Sequence, residues 1–374
     1  MIKIPEHIQK LHPYIAGKPI EELAREKGIK KIVKLASNEN PLGPSPKAVE
    51  EIKKHLNELH RYTNPSAYTL VNAIAVRFNK KPDQIVTASG SDALLQYLIT
   101  AFSDEDDELI SSEGTFIGWY VNANKYGRKS TLIPLKDYHF DLNGILERVN
   151  EKTKIIYLAN PNNPTGTMFS KTEFENFMKK VPERVLVVLD EAYTVYAESK
   201  PEYPNGLSYN LHNLLVTRTL SKAYGLAGIR IGFAYGSEYL IKELYKVKLP
   251  FEPNELAQVA AIAALTDDEF VARTVELNKK SLSIMGKKFD ELGIEYVPTS
   301  ANFYMLLFPD EGFTAEFNNE CLNRGLILRH VNTFGIPNGI RINSGTMEET
   351  DFALKIIEEV YCRMSDKYNL HVHK

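Results

Sequence analysis

"TKIIYLANPNNPTG", residues 153–166, joins an apolar run to a turn of asparagine, proline and glycine. The first seven residues predict a buried strand. The last seven predict a rigid turn, in which Asn160, Asn162 and Asn163 offer side-chain amides. Ligands of open α/β sheets bind at the carboxyl ends of strands. Polar residues that directly follow this strand and its neighbours are therefore candidates for a binding site.

The same pattern of strand and helix recurs on both sides of this stretch. Between about residues 85 and 235, short apolar runs alternate with helical patterns. The other predicted strands are "QIVTAS" (84–89), "DELIS" (107–111), "RVLVVLD" (184–190), "NLLVTRT" (213–219) and "RIGFAYG" (230–236). Apolar strands separated by helices predict an α/β fold, with a mostly parallel sheet that is flanked by helices on both faces.

The pattern changes after about residue 250, where long helical segments lead into a few short strands. A chain of 374 residues is long enough for about two domains. We predict a large α/β domain at residues 35–250, which holds the binding site. Residues 1–34 and 251–374 are predicted to form an N-terminal arm and a smaller α+β domain.

Composition and charge argue against several classes of protein. The formal net charge of -3 gives no basic surface for nucleic acid. Cys321 and Cys362 lie far apart and in no metal-binding spacing, so we predict no metal site. The most apolar run, at 185–189, is too short to cross a bilayer, and the N-terminus lacks the apolar core of a signal peptide. We expect a cytoplasmic protein without nucleic-acid or membrane partners.

Two further strand ends carry groups that attract charge. Gly90, Ser91 and Asp92 follow one strand and open a helix, whose free backbone N–H groups and dipole can bind an anion. The alternative is a plain helix cap. Asp190 ends a wholly apolar strand, where a carboxylate needs a cationic or N–H partner. The alternative for Asp190 is a structural ion pair.

The last strand end is "TLSKAYGLAGIR", residues 219–230, where Lys222 and Arg230 flank a run of small residues. Taken alone, this stretch could be a loop and a surface helix, since lysines are mostly exposed. Small residues also let a backbone approach a ligand closely. Neither GxGxxG nor GxxxxGK[ST] occurs in the chain, so a dinucleotide site or a P-loop has little support.

Together these groups suit pyridoxal phosphate (PLP), which has an aldehyde, a pyridinium nitrogen, a phenolic oxygen and a phosphate. A lysine forms a Schiff base with the aldehyde. An acid keeps the ring nitrogen protonated, so that the ring can accept electrons. Tyrosine and asparagine donors stabilise the phenolic oxygen. A helix N-terminus and an arginine bind the phosphate. The order of helix start, asparagine turn, acid, lysine and arginine supplies each partner.

Several motifs carry a resemblance to a known family. "NPNNPTG", "DEAY" (190–193) and "SKAYGLAGIR" (221–230) resemble the fold-type I aminotransferases. More narrowly, the chain is similar to the histidinol-phosphate aminotransferase family in "LASNENPLGPSP" (35–46), "RYTNPSAYTLVNAIA" (61–75), "GSDALL" (90–95) and "RINSGT" (341–346). Aromatic amino-acid aminotransferases and threonine-phosphate decarboxylases share much of these motifs, and both stay open as alternatives.

The resemblance implies a role for each matching residue. The implied catalytic residues are Lys222, Asp190 and Tyr193. The implied cofactor-binding residues are Ser91, Asp92, Phe116, Asn163, Asp190, Tyr193, Thr219, Ser221, Lys222 and Arg230, with Tyr62 reaching over from the second subunit of a homodimer. The implied substrate-binding residues are Tyr14, Asn163, Arg329 and Arg341.

The implied reaction converts L-histidinol phosphate and 2-oxoglutarate to imidazole acetol phosphate and L-glutamate, a step of histidine biosynthesis, by a ping-pong cycle. Lys222 carries the Schiff base, and to be useful its pKa must fall from about 10.4 towards roughly 7–8. Arg341 is expected to accept either a carboxylate or a phosphate, which the guanidinium fork can do.

Overall fold

A computed structural model describes residues 2–11 and 20–368. Its strands in chain order are Val33–Lys34 (β1), Ile85–Ala88 (β2), Glu108–Ser112 (β3), Lys129–Ile133 (β4), Thr153–Ala159 (β5), Leu186–Asp190 (β6), Leu214–Thr219 (β7), Gly232–Tyr235 (β8), Glu295–Val297 (β9), Phe303–Leu307 (β10), Leu326–Ile327 (β11), Arg329–His330 (β12) and Gly339–Asn343 (β13). Tyr14 lies outside the described residues.

The helices of the described residues are Glu6–Gln9 (α1), Ile20–Lys27 (α2), Pro46–His55 (α3), Tyr68–Phe78 (α4), Ser91–Phe102 (α5), Ile117–Lys125 (α6), Leu142–Arg148 (α7), Lys171–Met178 (α8), Thr194–Ala197 (α9), Glu238–Val247 (α10), Glu255–Ala264 (α11), Asp268–Leu292 (α12), Glu311–Asn323 (α13) and Met347–Tyr368 (α14). Local sequence sets some of their ends. At the start of α8, Ser170 and Glu173 form a capping box.

The central sheet has seven strands in the order β2-β8-β7-β6-β5-β3-β4. All neighbouring strands run parallel except β8, which is antiparallel to both β2 and β7. Every residue of β6 is buried, as its unbroken apolar run predicts for a strand that is covered on both faces. The predicted α/β class with a mostly parallel sheet is confirmed.

A second sheet has four antiparallel strands in the order β12-β13-β10-β9. The long helices α12 and α14 and the helix α13 pack with it around a separate apolar cluster, which includes Phe289, Phe317 and Ile357. Val33 and Leu35 near the N-terminus join this cluster, and β1 pairs with β11. This smaller α+β unit is the kind that the sequence after residue 250 predicts.

The apolar core around the central sheet extends past residue 250. It includes Ala257, Ala260 and Ala261 of α11. The helix packs on α3 and α4 at one side of the large unit. The boundary at residue 250 stays a prediction.

The direction of the strands positions the candidate site. Strands β2, β5, β6 and β7 run in one direction, so their carboxyl ends meet at the same edge of the sheet.

Candidate active site

A cavity of about 190 Å³ lies at that edge of the central sheet. Its lining includes ten of the predicted cofactor-binding residues, namely Ser91, Asp92, Phe116, Asn163, Asp190, Tyr193, Thr219, Ser221, Lys222 and Arg230. Small side chains, among them Ala159 and Ala192, complete the wall and leave room for a ligand. The four strand ends that the sequence singled out therefore meet around one cavity.

One end of the cavity is built to hold an anion. Gly90 caps α5 with a φ of 88°, and no side chain caps the first N–H groups of this helix. A Cβ atom at Gly90 would lie 2.6 Å from Nη2 of Arg230, so glycine lets that guanidinium stay where it is and any side chain would displace it. Thr219 and Ser221 add hydroxyl groups, which hydrogen-bond each other at 2.9 Å. Backbone N–H groups, hydroxyls and an arginine together suit a phosphate.

The backbone of Arg230 has an unusual conformation. Its φ is 62°, in the left-handed region that costs energy for a residue other than glycine. Its guanidinium lies 3.7 Å from the carboxylate of Asp92, which is at the second position of α5. Burial raises the pKa of Asp92, although the charges of Arg230 and Lys222 act in the opposite direction. Backbone strain at a residue whose side chain lines a cavity is typical of a functional position.

Asp190 lies buried at the end of β6. Its Oδ2 accepts a hydrogen bond from the hydroxyl of Tyr157 at 2.7 Å. Its Oδ1 has no hydrogen-bond partner within the described residues. Burial raises the pKa of Asp190 to about 6, against the effect of the Tyr157 bond and weaker contacts from Thr217 and Ala192. A buried carboxylate with one free oxygen fits a protonated ring nitrogen.

Lys222 projects into the same space from the loop after β7. Its Nζ donates a hydrogen bond to the backbone oxygen of Ser37 at 3.2 Å. Loss of hydration, together with the nearby charges of Arg341 and Arg230, lowers the pKa of Lys222 to about 8, and the charges of Glu39 and Asp92 act in the opposite direction. This direction agrees with the expectation that a Schiff-base lysine needs a lowered pKa. The structure adds burial as the largest cause and Arg341 as the larger of the two charges.

Tyr193 and Asn163, the predicted partners of the phenolic oxygen, are each held by a neighbouring side chain. The side-chain amide of Asn38 donates to the hydroxyl of Tyr193 at 2.7 Å. The side-chain oxygen of Asn163 accepts from Nη1 of Arg341. Asn38 is buried and has a φ of 57°. Asn38 lies in the motif at residues 35–46, but the sequence alone does not indicate its role, because its contact with Tyr193 spans 155 residues.

A second cavity of about 150 Å³ adjoins the first and shares Phe116, Asn163, Tyr193 and Lys222 with it. Arg329 and Arg341 line it. These two arginines lie directly opposite each other on the antiparallel strands β12 and β13. Both guanidinium groups also lie over the ring of Phe334, at 5.8 and 6.0 Å from its centre. Because like charges that face each other across strands are unfavourable, this pair favours a bound anion.

Tyr62 does not line either cavity of the described chain. It is 83% exposed, and its ring stacks on Phe251 at 4.4 Å between centroids. The prediction that Tyr62 acts on the site of a second subunit stays a prediction. The other predicted residue away from the cavities is Tyr14, which the described residues do not include.

Charged residues next to the site form a structural network that the sequence did not reveal. Glu191 follows Asp190, is buried, and pairs with the guanidinium of Arg218 at 2.7 Å. Arg218 also bonds Asn205 at 2.9 Å. A buried ion pair of this kind is tolerated because further hydrogen bonds satisfy both groups.

No cluster of three or more metal-binding side chains and no helix that could span a membrane occurs in residues 2–11 and 20–368.

Comparisons with known proteins agree with this geometry. The family model described as aminotransferase class I and II matches residues 30–357. Histidinol-phosphate aminotransferase 2 of Pasteurella multocida is 41% identical over 358 residues, which are 96% of this chain and 98% of that protein. Histidinol-phosphate aminotransferase of Caldicellulosiruptor saccharolyticus is 40% identical, over 95% of this chain and 99% of that protein.

Solved structures resemble the chain over nearly its whole length. Histidinol-phosphate aminotransferase from Sinorhizobium meliloti in complex with pyridoxal-5'-phosphate has a TM-score of 0.90 and 26% identity, and the match covers 97% of this chain and 99% of that one. Aspartate aminotransferase from Thermus thermophilus with maleate has a TM-score of 0.83 at 21% identity, covering 96% and 100%, and shares the fold.

The described cavity fits PLP on its own features: the uncapped helix start beside Gly90 and Arg230, the free oxygen of Asp190, and Lys222 with its lowered pKa. The predicted resemblance to histidinol-phosphate aminotransferases is confirmed by the identity over nearly full length. The chain belongs to the class I and II aminotransferases and is a PLP-dependent enzyme of that family.

Proposed function

We propose that this chain transfers the amino group of L-histidinol phosphate to 2-oxoglutarate, which yields imidazole acetol phosphate and L-glutamate in histidine biosynthesis. The observation that carries the proposal is the pair Arg329 and Arg341, opposite each other on adjacent strands in the cavity that Lys222 shares. A substrate that brings a phosphate or a carboxylate would neutralise this pair. The identity of about 40% to histidinol-phosphate aminotransferases supports the same substrate.

PLP, when bound, supplies an electron sink for the electron pair of the bond that breaks at the substrate Cα. The chain would hold it through the N–H groups at the start of α5, the hydroxyls of Thr219 and Ser221, and Arg230. Asp190 would face the ring nitrogen and Phe116 the ring face. Tyr193 and Asn163 would hydrogen-bond the phenolic oxygen.

Lys222 would be the proton carrier at the substrate. Its Nζ would take the proton from the substrate Cα and would deliver it to C4′ of the cofactor. A pKa of about 8 suits this work, because a group that must both accept and release a proton near neutral pH works best when its pKa is close to the ambient pH. The bond of Nζ to the backbone oxygen of Ser37 keeps the amine within the shared cavity.

The same anion site would serve both half-reactions in turn. Arg341 would accept the carboxylate of glutamate or 2-oxoglutarate, or the phosphate of the other substrate. Its guanidinium is buried and bonded to Asn163 and to the backbone oxygen of Ala36, so it is already oriented. Arg329 and Tyr14 are proposed to add phosphate contacts. Ping-pong kinetics follow from two substrates that share one site.

A homodimer is part of the proposal. Tyr62 is exposed and stacks on Phe251, itself 40% exposed. Leu59 and Leu249 are also exposed apolar side chains in the same two segments of the chain. A second copy that covers this surface would bury these side chains and would let Tyr62 reach the phosphate end of the neighbouring site. Location in the cytoplasm stays a prediction.

The experiment is a comparison of kcat/KM for L-histidinol phosphate and L-histidinol, with 2-oxoglutarate as acceptor and L-glutamate as the measured product. The two donors differ only in the phosphate. We expect the phosphorylated donor to be preferred by at least about a hundredfold, since it forms charge-assisted hydrogen bonds with arginine. Equal use of the two, or preference for phenylalanine, tyrosine or threonine phosphate, would refute the proposed substrate.

A further inference from the structure

Tyr157 contacts Asp190 but is not among the residues that line the cavity. It occupies the middle of β5 and is fully buried. In the register of the sheet, Ala159 pairs with Asp190 on β6. Because side chains two residues apart share a face of the sheet, Tyr157 projects on the same side as Asp190 and can reach it diagonally. The result is the 2.7 Å hydrogen bond from the Tyr157 hydroxyl to Oδ2.

This bond makes the two carboxylate oxygens of Asp190 different. Oδ2 is occupied by Tyr157, whereas Oδ1 has no hydrogen-bond partner within the described residues. Asp190 is also part of the cavity lining. A carboxylate that is held by one oxygen and has the other free is oriented for a single further partner.

The ring of Tyr157 is itself fixed from the other side. It stacks on the indole of Trp119 with 4.7 Å between centroids and 7° between planes. Trp119 lies in α6, and its backbone N–H bonds the oxygen of Phe116 at 3.0 Å. Phe116 lines the cavity as the proposed partner of the ring face. The stack and a hydrogen bond at each end therefore link Phe116 and Asp190, which are proposed to contact the cofactor ring at its face and at its nitrogen.

The hydrogen bond from Tyr157 also affects the ionisation of Asp190. Burial raises the pKa of Asp190, and the charge of Asp92 on α5 adds to this effect. The hydrogen bond from Tyr157 is the largest of the influences that lower it. Burial and the charge of Asp190 raise the pKa of Tyr157 well above its ordinary value, so its hydroxyl stays a donor. Tyr193, the other ionisable group close to Asp190, also has a raised pKa and stays neutral.

We propose that Tyr157 is a positioning residue, which keeps Asp190 ionised and directs its free oxygen at the ring nitrogen of PLP. The inference rests on the proposed role of Asp190 in the function above. It adds a residue that the motifs do not contain, since Tyr157 lies inside a strand rather than at its end.

The test is Tyr157→Phe, which removes the hydroxyl and keeps the aromatic stack. Trp119 is the single tryptophan of the chain, so the intrinsic fluorescence of the cofactor-free protein reports PLP binding next to Tyr157. We expect PLP to bind about tenfold more weakly to the variant, which is the smaller effect measured for losing a bond to a charged group. We also measure the affinity for PLP as a function of pH. The pH below which this affinity falls should be higher in the variant, because Asp190 loses a group that favours its ionised form.

Two matched variants separate positioning from general damage. Tyr209→Phe removes a tyrosine–carboxylate bond to Glu175 of 3.3 Å outside the cavities and should leave PLP binding unchanged. In an Asp190→Asn background, Tyr157→Phe should weaken binding little further, because both changes act through one carboxylate. Circular dichroism and thermal melting check that each variant folds.

The outcomes distinguish this inference from the proposed function. If the wild-type protein does not bind PLP, both fail. If the wild type binds PLP and Tyr157→Phe matches it in affinity and pH dependence, only the positioning role fails. Independent, additive effects of Tyr157→Phe and Asp190→Asn would also overturn it, since they would show that Tyr157 does not act through Asp190.

Discussion

The side-chain amide of Asn38 donates a hydrogen bond to the hydroxyl of Tyr193 over 2.7 Å. Tyr193 therefore has its acceptor position filled and its own proton free to donate. The proposed acceptor is the phenolic oxygen of PLP. The backbone of Asn38 makes two further hydrogen bonds. Its N–H donates to the side-chain oxygen of Asn343, and its carbonyl oxygen accepts from the side-chain amide of Asn302.

Asn38→Asp tests this direction of donation. A carboxylate can only accept, so it would draw the Tyr193 proton away from the cofactor. We expect kcat/KM to fall about tenfold or more, which corresponds to one lost hydrogen bond to a charged group. Asn79→Asp is the control, because Asn79 has a similar φ of 52° and is exposed at the end of α4. Wild-type kinetics in Asn38→Asp would contradict the proposed arrangement.

Lys222→Ala should remove the proton carrier and the covalent attachment together. We expect kcat to fall by at least about a thousandfold, within the range that general acid–base and nucleophilic groups contribute. The measurement is product formation by the purified variant, with circular dichroism as a check of folding. A variant that keeps a substantial part of the wild-type rate would show that another residue does this work.

Gly90→Ala should weaken cofactor binding. The added methyl group would meet the guanidinium of Arg230 at 2.6 Å and would push it from the start of α5. Gly293→Ala is the control for a positive φ, because Gly293 has a φ of 67° and open space around it. Gly293 lies in the left-handed region, where alanine costs about 1–2 kcal/mol, whereas Gly90 (φ 88°, ψ 171°) lies in a region that is essentially limited to glycine. Both variants should therefore melt at lower temperature than the wild type, and Gly90→Ala at the lower of the two. Only Gly90→Ala should bind PLP more weakly in an equilibrium titration, and equal affinities would refute the contact.

Asp190→Asn should stabilise the cofactor-free protein at neutral pH. The folded pKa of about 6 lies above the ordinary value of 3.8, so the folded state holds the proton more tightly than the unfolded state. Stability is therefore lost as pH rises from about 4 to about 6, and the loss is complete above that range. A shift of about two pH units corresponds to about 3 kcal/mol.

Urea unfolding of the cofactor-free proteins at several pH values checks this prediction. The free energy of unfolding of Asp190→Asn should exceed that of the wild type above pH about 6, and the difference should vanish near pH 4. The opposite sign at neutral pH would mean that a favourable partner compensates the buried charge without the cofactor.

Arg329→Gln should raise the KM for the phosphorylated substrate. One of the two cations that face each other on β12 and β13 would be lost, so the binding of a doubly charged phosphate should weaken more than the binding of a carboxylate. We expect about a tenfold increase in KM for L-histidinol phosphate and a smaller one for L-glutamate. Arg324→Gln, which removes a half-buried pair with Glu320 and lines neither cavity, should change neither. Equal effects on both substrates would remove Arg329 from phosphate recognition.

The sequence predicts which residues line the first cavity, because most of them directly follow predicted strands. The groups at Gly90, Asn163, Asp190 and Lys222 each come within a few residues of a strand's carboxyl end, and a parallel sheet brings such ends together. The sheet itself could be predicted from unbroken apolar runs. The edge strand Lys129–Ile133 is not among the predicted strands, because it is mostly half-exposed and has no unbroken apolar run.

The contacts that orient the site could not be predicted in this way. Tyr157 reads as one more apolar strand residue, and its bond to Asp190 depends on the register between β5 and β6. Asn38 reaches Tyr193 only because the segment after β1 crosses to the large unit. Pairing of Arg218 with Glu191 likewise depends on neighbouring strands rather than on a local motif.

A single-turnover experiment tests the proposed reaction most directly. The PLP-loaded protein is mixed with L-histidinol phosphate in the absence of an oxo acid, and the visible absorbance of the bound cofactor is followed. We predict a rapid change with L-histidinol phosphate that 2-oxoglutarate reverses, and a weak response to phenylalanine and tyrosine. No change with L-histidinol phosphate, together with a rapid change with phenylalanine or tyrosine, or release of CO₂ from threonine phosphate, would contradict the proposed function.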